Sequence, residues 1–281
     1  MTDDVIRVRE LVKVYGDKRA VDGLDLTVGR GETLALLGPN GAGKTTAVEI
    51  LEGFRRPTAG EVRVLGVDPA HGRTAWRSRI GVVLQSTGAF DDLTVFEVVA
   101  QFASFFPGAR DPAAVIDAVG LTAKRAARTA SLSGGQRRRL DVAIGIVGRP
   151  EVLFLDEPTT GFDPEARREF WTLIAGLREH GTTILLTTHY LEEAEALADR
   201  VAVIAAGRLV ALGAPGELGG RQEAPAVVRW CEEGRHHERH THTPAATVAE
   251  LAARFGGEVP ELTITRPTLE DVYLSLIGAS R

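Results

Sequence analysis

The chain has 281 residues, 44% of them hydrophobic and 25% charged, with a formal net charge of -5. These values suit one substantial domain with an appendage, or two modest domains, and they exclude a nucleic-acid binder that works by bulk positive charge. A single cysteine, Cys231, excludes a disulfide framework within the chain, and no apolar run reaches the ~18 residues of a membrane span, so any channel must be another polypeptide.

The start, Met1-Thr2-Asp3-Asp4, is acidic and lacks the charged-then-apolar pattern of a targeting signal. Residues 6–9, 24–28 and 33–37 read as short strands separated by turn residues, notably Gly16, Asp22-Gly23 and 29–31. Strands follow at 61–65 and 80–84. Apolar residues at three-to-four spacing then predict helix from about 93 to 119. The fully apolar run 152–155 reads as a strand buried on both faces. Asp163 as N-cap and Pro164 at the first position predict a helix over 164–179. A buried strand at 183–187 and a helix at 191–198 follow. Residues 200–212 read as a hairpin turning at Ala206-Gly207.

Strands alternating with helices imply an α/β core with a parallel sheet, and the strand-rich start implies an added antiparallel sheet. Pro215-Gly216 and Gly219-Gly220 mark a boundary. Beyond it, strands are expected at 226–231 and 235–242, a helix at 248–255, a strand at 262–265 and a last helix from Thr268. Thr247 to Glu250 fits a capping box for the 248–255 helix, with Gly256 as its stop. Cys231, beside Trp230, reads as a passive small residue. His236, His240 and His242 share a strand face and His237 lies between them, but no cysteines or carboxylates are arranged around them as ligands. The segment reads as an exposed hairpin, not a metal site.

The apolar strand 33–37 runs into Gly38-Pro39-Asn40-Gly41-Ala42-Gly43-Lys44-Thr45-Thr46, the phosphate-loop pattern. Glycines let backbone N–H groups approach phosphate oxygens, and the following helix presents its positive end to the same anion. Lys44 supplies a mobile charge for the β- and γ-phosphates, and Thr45 a hydroxyl for Mg²⁺. The run 152–155 delivers Asp156 and Glu157 at a strand's C-terminal end. There Asp156 can hold the Mg²⁺ shell and Glu157 can reach the attacking water as general base. Together the two motifs predict an NTPase that uses Mg²⁺.

Leu132-Ser133-Gly134-Gly135-Gln136 precedes an evident helix at 137–147, and this resembles the signature of ABC ATPases, in its usual place between the two ATP motifs. The resemblance covers residues 5 to about 215. It implies that Ser133, Gly134, Gly135 and Gln136 meet the γ-phosphate of ATP bound to a second subunit. It also implies that Gln85 is the Q-loop glutamine near Mg²⁺ and water, and that His189 is the switch histidine near the γ-phosphate. By the same resemblance Asp163, in Thr160-Gly161-Phe162-Asp163-Pro164, lies in the D-loop, where Phe162 replaces the usual leucine. Tyr15 matches the aromatic that stacks on adenine. Arg137, Arg138 and Arg139 read as a solvated helix face in preference to a nucleic-acid patch.

The family fold is a phosphate-loop NTPase core with a parallel sheet, an N-terminal antiparallel β subdomain and a helical subdomain at about 86–145. It would occupy residues 1–215, with a small α+β accessory domain at 216–281. The tail, Arg266-Pro267-Thr268-Leu269-Glu270-Asp271-Val272-Tyr273-Leu274, resembles ATPases of daunorubicin-resistance exporters, which pair with a separately encoded membrane subunit. The resemblance implies an ATPase at the cytoplasmic face of the membrane, working without nucleic acid as half of a dimer, either with a second copy or with a different ATPase, and powering export of a drug-like or other hydrophobic compound. The groove between the Q-loop and 93–106 is the expected docking surface for the membrane subunit. An importer ATPase shares every ATP motif and stays open. A soluble ABC ATPase acting on ribosomes or DNA fits less well, because the chain has one ATPase domain and no coiled-coil insertion between Lys44 and Ser133.

Overall fold

The computed structural model describes residues 3–83, 90–221 and 223–278. The chain forms two compact units, Met1–Leu212 and Gly213–Arg281. The first begins with the strands β1 (Asp4–Tyr15) and β2 (Lys18–Gly29), longer than their apolar centres suggest. Next come β3 (Thr33–Leu37), the helix α1 (Lys44–Leu51), β4 (Ala59–Val64), the short α2 (Thr74–Arg77) and β5 (Ile80–Val83). β2, β1 and β4 form the expected antiparallel sheet.

The predicted helix over 93–119 is two helices, α3 (Val95–Ala103) and α4 (Pro112–Ala118). Two local signals divide them. Gly108 takes a left-handed φ of 79°, and Asp111 caps a fresh helix whose first position is Pro112. Thr94 and Glu97 form a reciprocal capping box on α3. Then follow α5 (Gly134–Val147), β6 (Val152–Asp156), α6 (Pro164–Glu179), β7 (Thr183–Thr188), α7 (Leu191–Leu197), β8 (Arg200–Ala205) and β9 (Arg208–Gly213). Ala206 (φ 48°) and Gly207 (φ 80°) make the turn from β8 to β9, both left-handed as a tight two-residue hairpin requires.

The main sheet has the order β5-β6-β7-β3-β8-β9. β5, β6, β7, β3 and β8 run parallel. Strands covered on both faces need continuous apolar runs, and every residue of β3 and β7 is buried. Because the strands are parallel, the ends of β3, β6 and β7 open at one edge of the sheet. Ligands of open α/β sheets bind at that edge.

The second unit contains β10 (Ala226–Glu232), β11 (Arg235–Thr241), α8 (Pro244–Phe255), β12 (Thr263–Thr265) and α9 (Leu269–Gly278). Its antiparallel sheet has the order β11-β10-β12, and Val228, Trp230, Leu251 and Val259 form its core. The capping box expected at Thr247 does not form. Pro244 at the first helical position starts α8 one turn earlier, and the Thr247 hydroxyl donates back to the Thr243 carbonyl at 3.4 Å. Gly256 ends this helix with a left-handed φ of 74°. On α9, Thr268 and Asp271 cap each other reciprocally. The histidine segment also differs from expectation. Register sets Cys231 opposite His236, and Glu261 approaches the same histidine at 3.6 Å. A cysteine and a carboxylate therefore do lie beside it, brought there by strand pairing that sequence order conceals.

Candidate functional site

β3 ends at the glycine loop, which turns back into α1. Gly43 holds φ 103°, and a Cβ there would meet the Ala20 carbonyl oxygen at 2.2 Å. A Cβ at Gly38 would lie 2.2 Å from the Ile204 carbonyl oxygen. Only glycine fits either place. The loop borders a cleft of about 420 Å³ lined by Tyr15, Lys18, Asn40, Lys44, Thr45 and Glu157 among others. That volume lies within the ~300–1,000 Å³ usual for small-molecule sites.

Lys44 Nζ donates to the carbonyls of Gly38 at 2.7 Å and Pro39 at 3.3 Å. It lies 4.0 Å from Glu157 Oε1. Burial pushes its ammonium below its ordinary range, and the carboxylates of Glu157 and Asp156 push it back up. Thr45 Oγ1 is 3.5 Å from Asp156 Oδ1, which also accepts from the Thr187 hydroxyl. A hydroxyl and a carboxylate thus meet at the cleft, a hard-oxygen set suited to Mg²⁺.

Glu157 adopts a left-handed backbone with φ 43°, a conformation that costs a non-glycine residue on the order of 1–3 kcal/mol and persists only where the surroundings fix it. Its N–H donates to Thr187 Oγ1 at 3.0 Å. Its Oε1 lies 3.3 Å from His189 Nδ1, and Thr160 Oγ1 donates to its Oε2 at 3.4 Å. Three strand ends therefore bring Lys44, Asp156, Glu157 and His189 together. Tyr15 stands at the cleft rim, 40% exposed.

The residues 133–136 behave differently. Ser133 and Gln136 form a capping box that opens α5, with Ser133 and Gly134 exposed. Among the described residues lining the cleft, none belongs to this motif. Asp163 caps α6, accepting from the Ala166 N–H at 2.8 Å. Gln85 lies outside the described residues.

The arginine run departs most from expectation. Arg138 is buried. Its Nη2 donates to the Asp156 carbonyl at 2.8 Å and its Nε to the Pro158 carbonyl at 3.0 Å. Arg137 donates to the Thr129 carbonyl at 3.1 Å, and Arg139 pairs with Glu169. The run is therefore not a solvated face. Helical spacing carried the signal: Arg138, Asp141, Val142 and Gly145 share the buried side of α5. Two more residues were missed. Thr187 holds Asp156 and Glu157 together across β6 and β7. Glu52, where α1 ends, has its carboxyl pushed up to about 8 by burial, then by the nearby Asp156 and Glu49 carboxylates. Nothing in the local pattern around either residue sets it apart.

A family model described as ABC transporter matches residues 21–160. The daunorubicin resistance ATP-binding protein DrrA3 of Streptomyces coeruleorubidus is 39% identical, with 100% of this chain and 98% of that protein covered. The Nod factor export ATP-binding protein I of Rhizobium meliloti (strain 1021) is 39% identical, with 97% and 88% covered. Among solved structures, cbiO1 from Clostridium perfringens, part of the ABC transporter complex cbiONQ, superposes with a TM-score of 0.67. It is 29% identical and covers 76% of this chain and 90% of its own. A dimeric ATP-binding cassette bound to ADP and phosphate shares the fold at a TM-score of 0.67 and 23% identity, with 74% and 98% covered.

Proposed function

The chain belongs to the ATP-binding subunits of ABC transporters, and from that membership we propose that it powers export of a drug-like or other hydrophobic compound through a separate membrane subunit. It is an ATP-hydrolysing transporter subunit. The observation that carries the catalytic reading is the meeting of Lys44, Asp156, Glu157 and His189 at one edge of the parallel sheet. The relatives named for daunorubicin resistance and Nod factor export favour export over import.

In this reading Gly38, Pro39, Asn40, Gly41, Ala42 and Gly43 wrap the phosphates with backbone N–H groups, and Thr46 completes the turn into α1. Lys44 leaves the carbonyls of Gly38 and Pro39 for the phosphate oxygens, whose negative charge makes them stronger acceptors. Thr45 and Asp156, with Gln85, would hold Mg²⁺, which when bound with the nucleotide neutralises phosphate charge. Glu157 accepts a proton from the attacking water, and His189 orients Glu157 and donates toward the γ-phosphate. Tyr15 stacks on the adenine.

The second half of each site comes from a second copy, through Ser133, Gly134, Gly135 and Gln136, with Asp163 at the contact. The absence of these signature residues from the cleft lining supports this reading, as does the dimeric state of the cassette similar in fold. No described helix is long and apolar enough to cross a membrane. In this reading, which rests on the resemblance to exporter ATPases, the chain works at the cytoplasmic face, held by its membrane subunit. The docking surface lies along α3, near the exposed Phe105. The test is purification of the chain together with membrane proteins of its own host, followed by reconstitution in vesicles. ATP-dependent movement of a hydrophobic compound out of the ATP-containing compartment is expected. ATP-dependent movement in the opposite direction supports an importer instead.

A further inference from the structure

Outside the nucleotide cleft, Cys231, His236 and Glu261 bring three donor atoms of different chemistry within 4.8 Å of one another. Three independent features place them there. The antiparallel register sets Cys231 directly opposite His236. Val228 and Trp230 pack into the core of the second unit, so by alternation the intervening Arg229 and the following Cys231 face the other side of the sheet. The Cys231 N–H also donates to the Pro260 carbonyl at 2.9 Å, which ties the segment before β12 to β10. The next residue, Glu261, takes a left-handed φ of 52°, and its Oε2 lies 3.6 Å from His236 Nδ1.

The spacing suits a metal ion. A tetrahedral ion with bonds of about 2.0–2.3 Å has donor–donor edges of roughly 3.3–3.8 Å. His236 and Glu261 already have that spacing, and a shift of about 1 Å brings the Cys231 sulfur to the third corner. A thiolate with an imidazole selects a borderline-soft ion over Mg²⁺ or Ca²⁺. Two of the neighbouring histidines have other partners. His237 stacks on Trp230 at 5.5 Å between centroids, and His240 faces Glu238 at 3.7 Å. We propose that Cys231, His236 and Glu261 bind a divalent ion of the zinc class, with water at the fourth corner, and so clip β11 to the segment that precedes β12.

Cys231 is the chain's single cysteine, so its modification by a thiol reagent reports this place alone. The experiment uses the full chain, stripped with a chelator and then given one equivalent of Zn²⁺. Coordination should slow modification at least about tenfold, because the bound thiolate is no longer free to attack, and chelator should restore the rate. His236→Ala and Glu261→Ala should each lose the protection, whereas His240→Ala should keep it. All of these side chains are outside the core, and unchanged far-UV circular dichroism checks the fold of each variant. Co²⁺ should give a thiolate charge-transfer band that Cys231→Ser lacks. An unchanged modification rate with equimolar Zn²⁺ would overturn the proposal. So would protection that survives in both His236→Ala and Glu261→Ala, since that is binding by the thiol alone.

Discussion

Arg138 Nη2 donates to the backbone carbonyl of Asp156 at 2.8 Å, while Arg138 Nε donates to that of Pro158 at 3.0 Å, so one guanidinium grips both sides of Glu157. Arg138 belongs to the helix that the signature motif opens, and Glu157 is the proposed general base. The left-handed backbone of Glu157 is thus held from α5 on one side and by Thr187 on the other. Two hydrogen bonds tie α5 to the backbone on either side of Glu157.

Arg138→Met keeps much of the volume and removes every donor. One buried and one half-buried carbonyl lose a charged partner, which should cost about 2–4 kcal/mol of stability. ATP turnover should fall roughly tenfold to a hundredfold with little change in KM, because Glu157 is displaced while the phosphate loop is intact. Arg138→Lys can reach one carbonyl and should fall between. Denaturant melts and steady-state hydrolysis check both variants. A loss confined to KM would remove Arg138 from the role of positioning Glu157.

Glu157→Gln should bind ATP normally, because an amide fills the carboxylate's place. Turnover should drop about 10²–10⁴-fold, the size of a general-base contribution. Single-turnover hydrolysis measures it directly. Near-normal hydrolysis would assign the proton to another group.

Lys44→Ala removes an ammonium that is buried and 4.0 Å from Glu157. ATP affinity should weaken roughly tenfold to a hundredfold, as loss of a charge-assisted hydrogen bond implies. The fold should persist, since glycines set the loop's backbone and the variant also relieves a desolvated charge. Calorimetric titration with ATP and a melt without it separate the two effects.

Glu52 should make stability fall as pH rises. Its folded pKa of about 8 lies above its ordinary value. Between about pH 4.5 and 8 the folded chain therefore holds a proton that the unfolded chain has released, and each rise in pH favours unfolding. Below that window both states are protonated and the effect vanishes. Above it the penalty is complete. Glu52→Gln should flatten the decline and stabilise the nucleotide-free protein at pH 8 by roughly 1–3 kcal/mol, after allowance for solvent screening. Melts at several pH values check this. An equal slope in both proteins would count against it.

The sequence made the sheet and the cleft legible because they rest on local rules. The short, largely apolar runs 33–37, 152–155 and 183–187 read as strands buried on both faces, and the parallel direction they share puts Lys44, Asp156, Glu157 and His189 at one edge. Arg138 escaped because three consecutive arginines look like surface when counted as charge, and only their helical phase shows that one points inward. Cys231, His236 and Glu261 escaped because strand register, not sequence spacing, sets their proximity. The break between α3 and α4 was legible in Gly108 and Pro112 but was overridden by the continuous apolar pattern around them.

The two-chain nucleotide site is tested most directly by crosslinking. Gly41 has a left-handed φ of 79° that would strain a cysteine, so the exposed Asn40 is the better position. Gly134 offers open space for a Cβ. Both chains would carry Glu157→Gln to block hydrolysis and Cys231→Ser to remove the native thiol. One would also carry Asn40→Cys and the other Gly134→Cys. A disulfide-linked dimer should form rapidly in the mixture when ATP and Mg²⁺ are present, and neither without nucleotide nor from either chain alone. Crosslinking that proceeds equally with and without ATP, or its absence at saturating ATP with both thiols reactive, would contradict a site shared between two chains.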